Sequence, residues 1–233
     1  ELENTLFEKL IKTYPDLSIM LEIQYRMNEK IMNFPNQEFY NGLLKPAASV
    51  KSHTLADLKV KKPEKFKEIL DPEEPLSFID TSGSNAFEFQ PEGSTSYENH
   101  IEAHLALKLV EELLKMGINK RDIGIITPYA AQVKLLKQLL LEKNLKIEVN
   151  SVDGFQGREK EVILISFVRS NNTGEIGFLN DLRRLNVAIT RAKRKLICIG
   201  NAKTLSHHST YQRFIEYIKA IGTYKNLKDL KEI

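Results

Sequence analysis

The chain has 233 residues, of which 42% are hydrophobic and 28% are charged, and this composition indicates a globular domain with a sizeable core. It excludes a chain that is disordered as a whole, a collagen-like repeat and a coiled coil. Lys and Arg outnumber Asp and Glu by 34 to 31, and the resulting net charge of +3 is too small to indicate nucleic-acid binding by itself.

Apolar runs alternate with helical patterns along the chain. Strands are predicted at residues 18–23, 76–80, 123–127, 147–152, 162–168 and 196–200, several of them as continuous runs of Ile, Val and Leu. Helices are predicted at residues 97–116, 129–143, 179–193 and 209–220. This alternation predicts a doubly wound α/β domain with a mostly parallel sheet.

The predicted strands and helices form one domain, residues 18–222. Residues 1–17 are interpreted as a leading segment that contains a helix, and residues 223–233 as a polar tail. Residues 45–75 carry four prolines among many Lys and acidic residues and are predicted to be a mostly solvated excursion. Residues 81–96 are rich in Gly, Ser, Asn and Thr and are predicted to be a flexible surface loop.

The chain carries no pattern typical of a membrane or secreted protein. Its longest apolar run, residues 162–168, is interrupted by Ser166 and is far shorter than the roughly 20 residues of a membrane helix. The single cysteine, Cys198, cannot form an internal disulfide, which favours the cytoplasm, or the nucleus in a eukaryote. The chain starts at Glu1 without a methionine, and we interpret this start as a point inside a longer polypeptide.

Ligands of an open parallel sheet bind outside the carboxyl ends of its strands, and the first candidate segment for such a site follows the strand predicted to end at residue 23. Here Tyr25 and Arg26 stand side by side. A tyrosine can stack on a base, and a guanidinium can hold phosphate oxygens in a bidentate manner. The alternative is a helix start with a buried tyrosine.

The second candidate segment, residues 153–159, follows the strand predicted to end at residue 152. Its glycines, Gly154 and Gly157, would let the backbone approach a ligand closely or adopt a positive φ. Gln156 and Glu159 are side chains that can accept a hydrogen bond from a ribose hydroxyl. A plain connecting turn explains the same residues equally well.

The third candidate segment, residues 183–193, lies in a basic stretch that extends to residue 195. Within a helix, Arg184 and Arg191 are seven residues apart and would project together from the flank of a buried face, where they could stabilise charge on a transferring phosphoryl group. Arg194 would point nearly opposite, towards solvent. A solvated basic face is the alternative, and it explains Lys193 and Lys195 well.

Other catalytic or metal-binding patterns are incomplete. No glycine is followed by lysine, so the chain lacks a phosphate-binding loop, and no acidic pair follows an early strand to hold magnesium. His100 and His104 have the spacing of metal ligands, but no third ligand is evident, and no metal site is predicted.

Four segments together, residues 24–42, 126–132, 150–171 and 177–201, resemble superfamily 1 helicases in sequence and in order. They are similar to the branch that contains the nonsense-mediated-decay helicase and the immunoglobulin-mu-binding-protein helicase. The motor of that family consists of two RecA-like domains with ATP in the cleft between them. The resemblance implies that this chain is the second domain, a RecA-like three-layer α/β/α fold of the P-loop-NTPase type without its own phosphate-binding loop.

The resemblance also implies roles for individual residues. Tyr25 would stack on adenine, Arg26 would reach the γ-phosphate, and Arg191 would be the arginine finger beside it. Glu159 would accept a hydrogen bond from the ribose. The remaining expected ATP contacts are Gln156, Gly157 and, from its place in the basic stretch, Arg184. ATP would bind with Mg²⁺, which the first domain would mainly hold. The expected nucleic-acid contacts are Thr127, Pro128, Ser151, Val152, Asp153, Arg169 and Asn171.

The function expected from these features is that of the second motor domain of an ATP-dependent RNA or DNA helicase, inactive without the first domain. The expected partners are single-stranded nucleic acid and the first RecA-like domain of the same polypeptide, with a monomeric state and no membrane. A non-catalytic RecA-like module that only binds single strands is the alternative. Tyr25, Arg26, Glu159 and Arg191 together disfavour it, because a pure binder has no use for a γ-phosphate sensor.

Overall fold

A six-stranded sheet forms the centre of the molecule in the computed structural model, which describes residues 6–14 and 19–230. Its strands are β3 (Leu76–Asp80), β4 (Ile123–Ile126), β5 (Glu148–Asn150), β6 (Lys160–Ser166), β7 (Ala192–Gly200) and β8 (Thr223–Asn226). They lie in the order β5-β4-β6-β7-β3-β8, and every neighbouring pair is parallel. All carboxyl ends of the strands therefore lie at one edge of the sheet, and all amino ends at the other.

Helices cover both faces of this sheet. They are α2 (Glu29–Phe39), α3 (His100–Lys115), α4 (Ala130–Glu142), α5 (Leu182–Ile189), α6 (Ala202–Leu205) and α7 (Ser209–Ile221). The described side chains of the first helix, α1 (Leu6–Thr13), are exposed and belong to neither core cluster. One core cluster joins α2, α5 and α7 to the sheet, and the other joins α3 and α4 to its opposite face. The predicted RecA-like α/β fold class is thus confirmed. Among the described residues, no helix is long and apolar enough to cross a membrane.

The central strands are apolar throughout because both of their faces are buried. In β6, Ile163 and Ile165 pack into the cluster with α2, α5 and α7, whereas Val162 and Leu164 pack into the cluster with α3 and α4. Successive side chains of a strand point to opposite faces, so two buried faces require an unbroken apolar run.

The strand predicted at residues 18–23 is wrong for residues 19–22, and residues 15–18 lie outside the described part of the chain. Only β1 (Ile23–Gln24) is extended and paired, and it pairs with β2 (Lys45–Pro46) in a separate two-stranded sheet. Ile19 and Leu21 are 89% and 84% exposed, so the apolar residues that suggested a buried strand have no neighbouring strand to cover them.

Residues 45–75 are mostly exposed or half-buried, as predicted, but the prediction missed a buried apolar part of this excursion. Four apolar side chains of this excursion, Leu55, Phe66, Ile69 and Leu70, are at most 2% exposed and pack into the cluster with α3 and α4. Lys and acidic residues surround them in sequence and concealed their pattern. The excursion is therefore a mostly irregular segment that packs on one face of the core.

The helix predicted at residues 179–193 ends at Ile189, and β7 begins at Ala192, which pairs with Lys160 of β6. The basic residues 193–195 are consequently strand residues. Arg194 does not face solvent, because its guanidinium pairs with Glu161 at 2.9 Å and with Asp57 at 2.8 Å. The spacing of the apolar residues continued through Ala192, which either a helix or a strand would bury.

Residues 223–226, predicted to belong to a polar tail, form the edge strand β8 instead. This strand pairs with β3 in the register Ser77 to Thr223, and its four residues are half-buried. An edge strand with one side open to solvent needs no apolar run, and this one has none. Residues 231–233 lie outside the described part of the chain. The leading helix of residues 1–15 is observed as α1, and residues 1–5 are not described.

Candidate functional site

The nucleotide residues expected from the sequence lie at the amino-terminal edge of the sheet. Glu159 directly precedes β6 and Arg191 directly precedes β7, and the Lys160 backbone N–H donates to the carbonyl of Arg191 at 3.0 Å. The sequence argument had placed such a site outside the carboxyl ends. The correction follows from the chain path, because residues 153–159 cross from the carboxyl end of β5 to the amino end of β6.

Arg26 and Glu159, which are 133 residues apart in sequence, form an ion pair at this edge. Gln24 fixes the backbone at Arg26, because its side-chain oxygen accepts from the N–H groups of Arg26 and Met27 at 2.8 and 2.7 Å. A second guanidinium nitrogen of Arg26 donates to the carbonyl of Thr190 at 3.0 Å. Arg26 is therefore held from two sides with its charge at the edge of the sheet.

Glu159 accepts two cationic partners, Arg26 and Lys193, whose Nζ lies 3.1 Å from the other carboxylate oxygen. Burial alone would raise the pKa of Glu159, but the hydrogen bonds and charges of these two side chains outweigh it and hold the pKa below its ordinary value. Lys193 was not among the expected site residues. Lys193 comes beside Glu159 because β7 begins at Ala192. The sequence pattern indicated a helix at this point, and for that reason it did not place Lys193 in the site.

Arg191 lies in the same cluster but has no acidic partner. Its guanidinium donates to the carbonyls of Val187 and Arg158 at 3.1 and 3.3 Å and to the hydroxyl of Thr190 at 3.3 Å. In the part of the chain that the structure describes, it forms no ion pair with a carboxylate. Burial, and then the like charge of Arg26, lower the pKa of Arg191.

Tyr25 and the loop before Glu159 complete this edge. The Tyr25 side chain is 73% exposed and stands next to the paired Arg26, so its ring is open to a ligand rather than buried. Gln156 and Gly157 are exposed, and Gly157 has a φ of +80°, a conformation that glycine adopts without strain.

Arg184 is not brought to this cluster. Helix α5 runs from the carboxyl edge of the sheet to the amino edge, so that Arg184 near its start and Arg191 beyond its end lie roughly 10 Å apart along the axis. Arg184 instead pairs with Asp153 at 3.1 Å, and this hydrogen-bonded partner raises the pKa of its guanidinium. The expected shared projection of Arg184 and Arg191 is wrong, because the helix ends before Arg191.

The residues expected to contact nucleic acid follow the carboxyl ends of three adjacent strands. The predicted set follows β4 (Thr127, Pro128), β5 (Ser151, Val152, Asp153) and β6 (Arg169, Asn171). Asp153 is exposed, Pro128 and Ser151 are half-buried, and Val152 is buried. Thr127 is fully buried, and its hydroxyl has no hydrogen-bond partner. The structure therefore brings the set to one edge, opposite the nucleotide cluster.

Arg169 and Asn171 are already engaged within the protein. The Arg169 side chain is 4% exposed and forms two hydrogen bonds with the Glu88 carboxylate, at 2.9 and 3.1 Å. Its guanidinium also lies over the ring of Tyr97, 4.5 Å from the centroid. The Asn171 amide donates to the same carboxylate at 3.0 Å. Contact of either side chain with nucleic acid stays a prediction, and it would require these bonds to open.

The residues present fit a shared nucleotide site but offer no magnesium site of their own. Arg26 and Arg191 supply positive charge for a triphosphate, and Tyr25 supplies an exposed ring. Within residues 6–14 and 19–230, no group of three or more His, Cys, Asp or Glu side chains could hold a metal ion.

Comparisons with known proteins identify the family of this chain. The family described as AAA domain matches residues 2–203. An uncharacterized ATP-dependent helicase of Methanocaldococcus jannaschii, MJ0104, is 52% identical over 95% of this chain and 32% of its own length. The DNA polymerase alpha-associated DNA helicase A of Schizosaccharomyces pombe is 41% identical over 92% of this chain and 33% of its own length.

A third relative, the DNA-binding protein SMUBP-2 of Mus musculus, is 39% identical over 95% of this chain and 22% of its own length. The chain thus spans about a third or less of the curated relatives it matches. The family match covers most of the chain, and the parallel sheet has the expected RecA-like form. The chain therefore belongs to the AAA domain family and is the second, C-terminal RecA-like domain of a superfamily 1 helicase.

Proposed function

We propose that this domain completes the ATP site of an ATP-dependent helicase from its amino-terminal sheet edge. In this proposal Arg191 is the arginine finger, Arg26 contacts the γ-phosphate, Tyr25 stacks on adenine, and Glu159 accepts from the ribose. The first RecA-like domain supplies the phosphate loop and holds Mg²⁺, which neutralises charge on the triphosphate when it is bound. This chain alone is then inactive.

The observation that carries the proposal is the unmatched charge of Arg191. Arg191 is half-buried without an ion pair of its own, and the neighbouring charge of Arg26 adds repulsion, which the charge of Glu159 offsets only in part. An anion placed between the two side chains would remove both penalties. The charge that spreads over a phosphoryl group during transfer is such an anion, and fixed arginines stabilise it without reorganisation.

The geometry around Glu159 supports the ribose contact. Its pKa is held below the ordinary value, so the carboxylate is ionised at neutral pH and acts only as an acceptor. Each carboxylate oxygen offers two lone-pair sites, and Arg26 and Lys193 each use one oxygen. Acceptor capacity for a ribose hydroxyl is thus left beside the exposed ring of Tyr25.

Single-stranded RNA or DNA is the proposed substrate of the opposite edge. Two of the relatives carry DNA helicase or DNA-binding in their names, which supports nucleic acid as the substrate class for this chain. The exposed turn after β5 and Pro128 after β4 form this edge with Phe178, whose ring is 58% exposed and lies 5.7 Å from that of Tyr129. Exposed aromatic rings bind unpaired bases with little sequence preference.

ATP hydrolysis by two polypeptides tests the proposed function. One is this chain of 233 residues, and the other also carries the first RecA-like domain; each is assayed with and without a single-stranded oligonucleotide. We expect hydrolysis only by the longer polypeptide, with stimulation by the oligonucleotide. Hydrolysis by the 233 residues alone would contradict the proposal. Oligonucleotide binding by the longer polypeptide without any hydrolysis would favour the non-catalytic module instead.

A further inference from the structure

A strained turn directly follows β6, at the edge proposed to contact nucleic acid. Val168 has a φ of +70°, a conformation that β-branched residues rarely adopt, and the Arg169 N–H donates to the Phe167 carbonyl at 2.8 Å. This hydrogen bond between residues i+2 and i, around a central residue with positive φ, is that of a rare and strained γ-turn. Such conformations persist only where the surroundings over-determine them, and they cluster at functional sites.

The first turn of α3 holds both polar groups of the Val168 backbone. The Glu102 carboxylate accepts from the Val168 N–H at 2.9 Å, and the Asn99 amide donates to the Val168 carbonyl at 3.1 Å. Glu102 also accepts from the hydroxyl of Ser166 at 2.6 Å. Gln132 of α4 joins the same network by donating to the Ser166 hydroxyl at 3.0 Å. All of these side chains are buried, and solvent therefore cannot replace a lost bond.

The turn at Val168 sends Arg169 beneath the loop of residues 176–178. A Cβ placed on Gly177 would lie 2.3 Å from a guanidinium nitrogen of Arg169 and 2.9 Å from the hydroxyl of Tyr129, so the loop backbone rests directly on these two side chains. The Tyr129 hydroxyl also donates to the carbonyl of Ile176 at 3.2 Å. The exposed ring of Phe178 stands at the end of this stack.

We propose that Glu102 is a positioning residue for single-strand binding. Through Val168 it fixes the path of Arg169, and through Arg169 it fixes the loop that presents Phe178 to nucleic acid. This inference rests on the proposed function of the carboxyl edge. It adds that Glu102, which touches no ligand itself, positions the groups that do. Burial raises the pKa of Glu102 to about 8, so the group is mostly neutral at pH 7 and a glutamine can reproduce its hydrogen-bonding role.

The test compares Glu102→Met with Glu102→Gln in the polypeptide that carries both RecA-like domains. Methionine is similar in size, but its sulfur is only a weak acceptor for Val168 and Ser166, whereas the amide oxygen of glutamine is a strong one. The readouts are the oligothymidylate or oligouridylate concentration for half-maximal ATP hydrolysis and the KM for ATP. For Glu102→Met we expect a rise of about tenfold in the half-maximal oligonucleotide concentration, because misplacing a contact by about 1 Å costs up to about a hundredfold. The KM for ATP stays unchanged, and Glu102→Gln resembles the unmodified protein.

Val168→Gly in the Glu102→Met protein separates positioning from a general loss of structure. Glycine adopts positive φ without strain, so the turn no longer needs the carboxyl group, and oligonucleotide half-saturation should recover. Val168→Ala is the matched control, which shortens the side chain but keeps the Cβ, and it should not recover binding. If Glu102→Met does not fold, the glycine double variant is expected to restore folding as well.

Several outcomes would overturn the positioning role. These are an equal effect of Met and Gln, no effect of either, a parallel rise in the KM for ATP, or equal behaviour of the Gly and Ala double variants. If the unmodified protein itself shows no response to either oligonucleotide, the proposed function of the carboxyl edge fails. Urea denaturation of the two double variants then still decides whether Glu102 holds the turn, because only the variant with glycine at position 168 should recover stability.

Discussion

The two arginine clusters, at opposite edges of one sheet, differ in how their charges are matched. At the carboxyl edge, Arg169 is 4% exposed and Glu88 engages its guanidinium through two hydrogen bonds. At the amino edge, Arg191 is partly buried beside another arginine, and its hydrogen-bond partners are two carbonyls and a hydroxyl. Both arginines lie within motifs that resemble those of helicases, so residue type and motif do not distinguish them.

The two arginines differ in whether a carboxylate of the protein is paired with the guanidinium. Burial opposes the charge of Arg169, but the bonds from Glu88 and Tyr129 outweigh it and raise the pKa of the guanidinium. For Arg191, burial and the charge of Arg26 act in the same direction and lower the pKa, and the opposing charge of Glu159 does not outweigh them. A matched pair is costly to break, because removing one partner leaves the charge of the other uncompensated. A cation without an ionic partner is stabilised most by an anion brought from outside, and we therefore expect the triphosphate to bind at Arg191 rather than at Arg169.

Replacing Arg191 is expected to have the largest effect. In the polypeptide with both domains, Arg191→Ala should lower kcat for ATP hydrolysis by about 10³–10⁵-fold, the range for arginine fingers of related nucleotide hydrolases. Binding of a single-stranded oligonucleotide should stay nearly unchanged, because Arg191 lies at the opposite edge. Steady-state ATP hydrolysis and oligonucleotide titration measure the two quantities.

Arg194→Ala is the matched control for this prediction. Arg194 lies three residues further along, in β7, and its guanidinium is paired with Glu161 and Asp57. Its removal should change kcat little. A loss of kcat similar to that of Arg191→Ala, or an equal loss of turnover and oligonucleotide binding in Arg191→Ala, would contradict the contrast between matched and unmatched arginines.

Breaking the matched pair should lower stability rather than catalysis first. Arg169→Met leaves the mostly buried Glu88 carboxylate without its ionic partner, although Ser170 and Asn171 still donate to it, and should cost about 3 kcal/mol of the free energy of unfolding, the lower end for a broken buried pair. Adding Glu88→Met should recover much of that loss, since no uncompensated charge is left. Arg26→Met breaks the partly exposed pair with Glu159 and should cost less than about 1 kcal/mol. Urea denaturation of the three variants checks this order. An equal loss of unfolding free energy in Arg169→Met and Arg26→Met would contradict it.

The strands that could be predicted from the sequence are those buried on both faces of the sheet. The run around Val162 and Ile165 must be a central strand, because only a strand covered on both faces needs unbroken apolar residues. β8 could not be found in this way, because its edge position leaves Thr223–Asn226 polar and half-buried. The core residues Phe66 and Ile69 escaped notice for a different reason: neighbouring charged residues lowered the hydropathy of the whole stretch.

Part of the membership of the candidate site could be read from the sequence, but its arrangement could not. Motif order named Tyr25, Arg26, Glu159 and Arg191 as one group, and the structure brings the last three together beside the exposed ring of Tyr25. That they meet at the amino edge depends on the adjacency of β6 and β7, which no local pattern encodes. Arg184 was misplaced for the same reason that the start of β7 was missed, since helical spacing continued through Ala192.

Lys195 is a third cationic side chain to compare with Arg169 and Arg191, and it is fully buried, so that no anion from solvent can reach it. It is 0% exposed, and its Nζ donates to the carbonyls of Asp71 and Glu74 and to the hydroxyl of Ser77. Burial lowers the pKa of Lys195 to about 7, against about 10.4 in an unfolded chain. Between these values the unfolded state binds the extra proton, so the free energy of unfolding should rise with pH by up to about 1.4 kcal/mol per unit.

Lys195→Met isolates this contribution. The variant has no titrating group at the position, so the difference in unfolding free energy between the unmodified chain and the variant should increase in favour of lysine from pH 7 towards pH 10. Urea denaturation at several pH values measures that difference. A difference that stays constant across the range would show that Lys195 keeps its proton in the folded state, and that the carbonyls of residues 71 and 74 compensate its charge.

Tyr25 should give the smallest effect, confined to the amino edge. Stacking of a base on an aromatic ring contributes about 1–3 kcal/mol, and an exposed ring belongs at the lower end, so Tyr25→Ala should raise the KM for ATP by about fivefold. Tyr25→Phe keeps the ring and should leave the KM unchanged. If the alanine variant shows the KM of the unmodified protein, adenine does not stack on Tyr25. Equal increases in both variants would assign the role to the hydroxyl instead, and the unmatched charge of Arg191 would then be the main determinant of nucleotide binding at this edge.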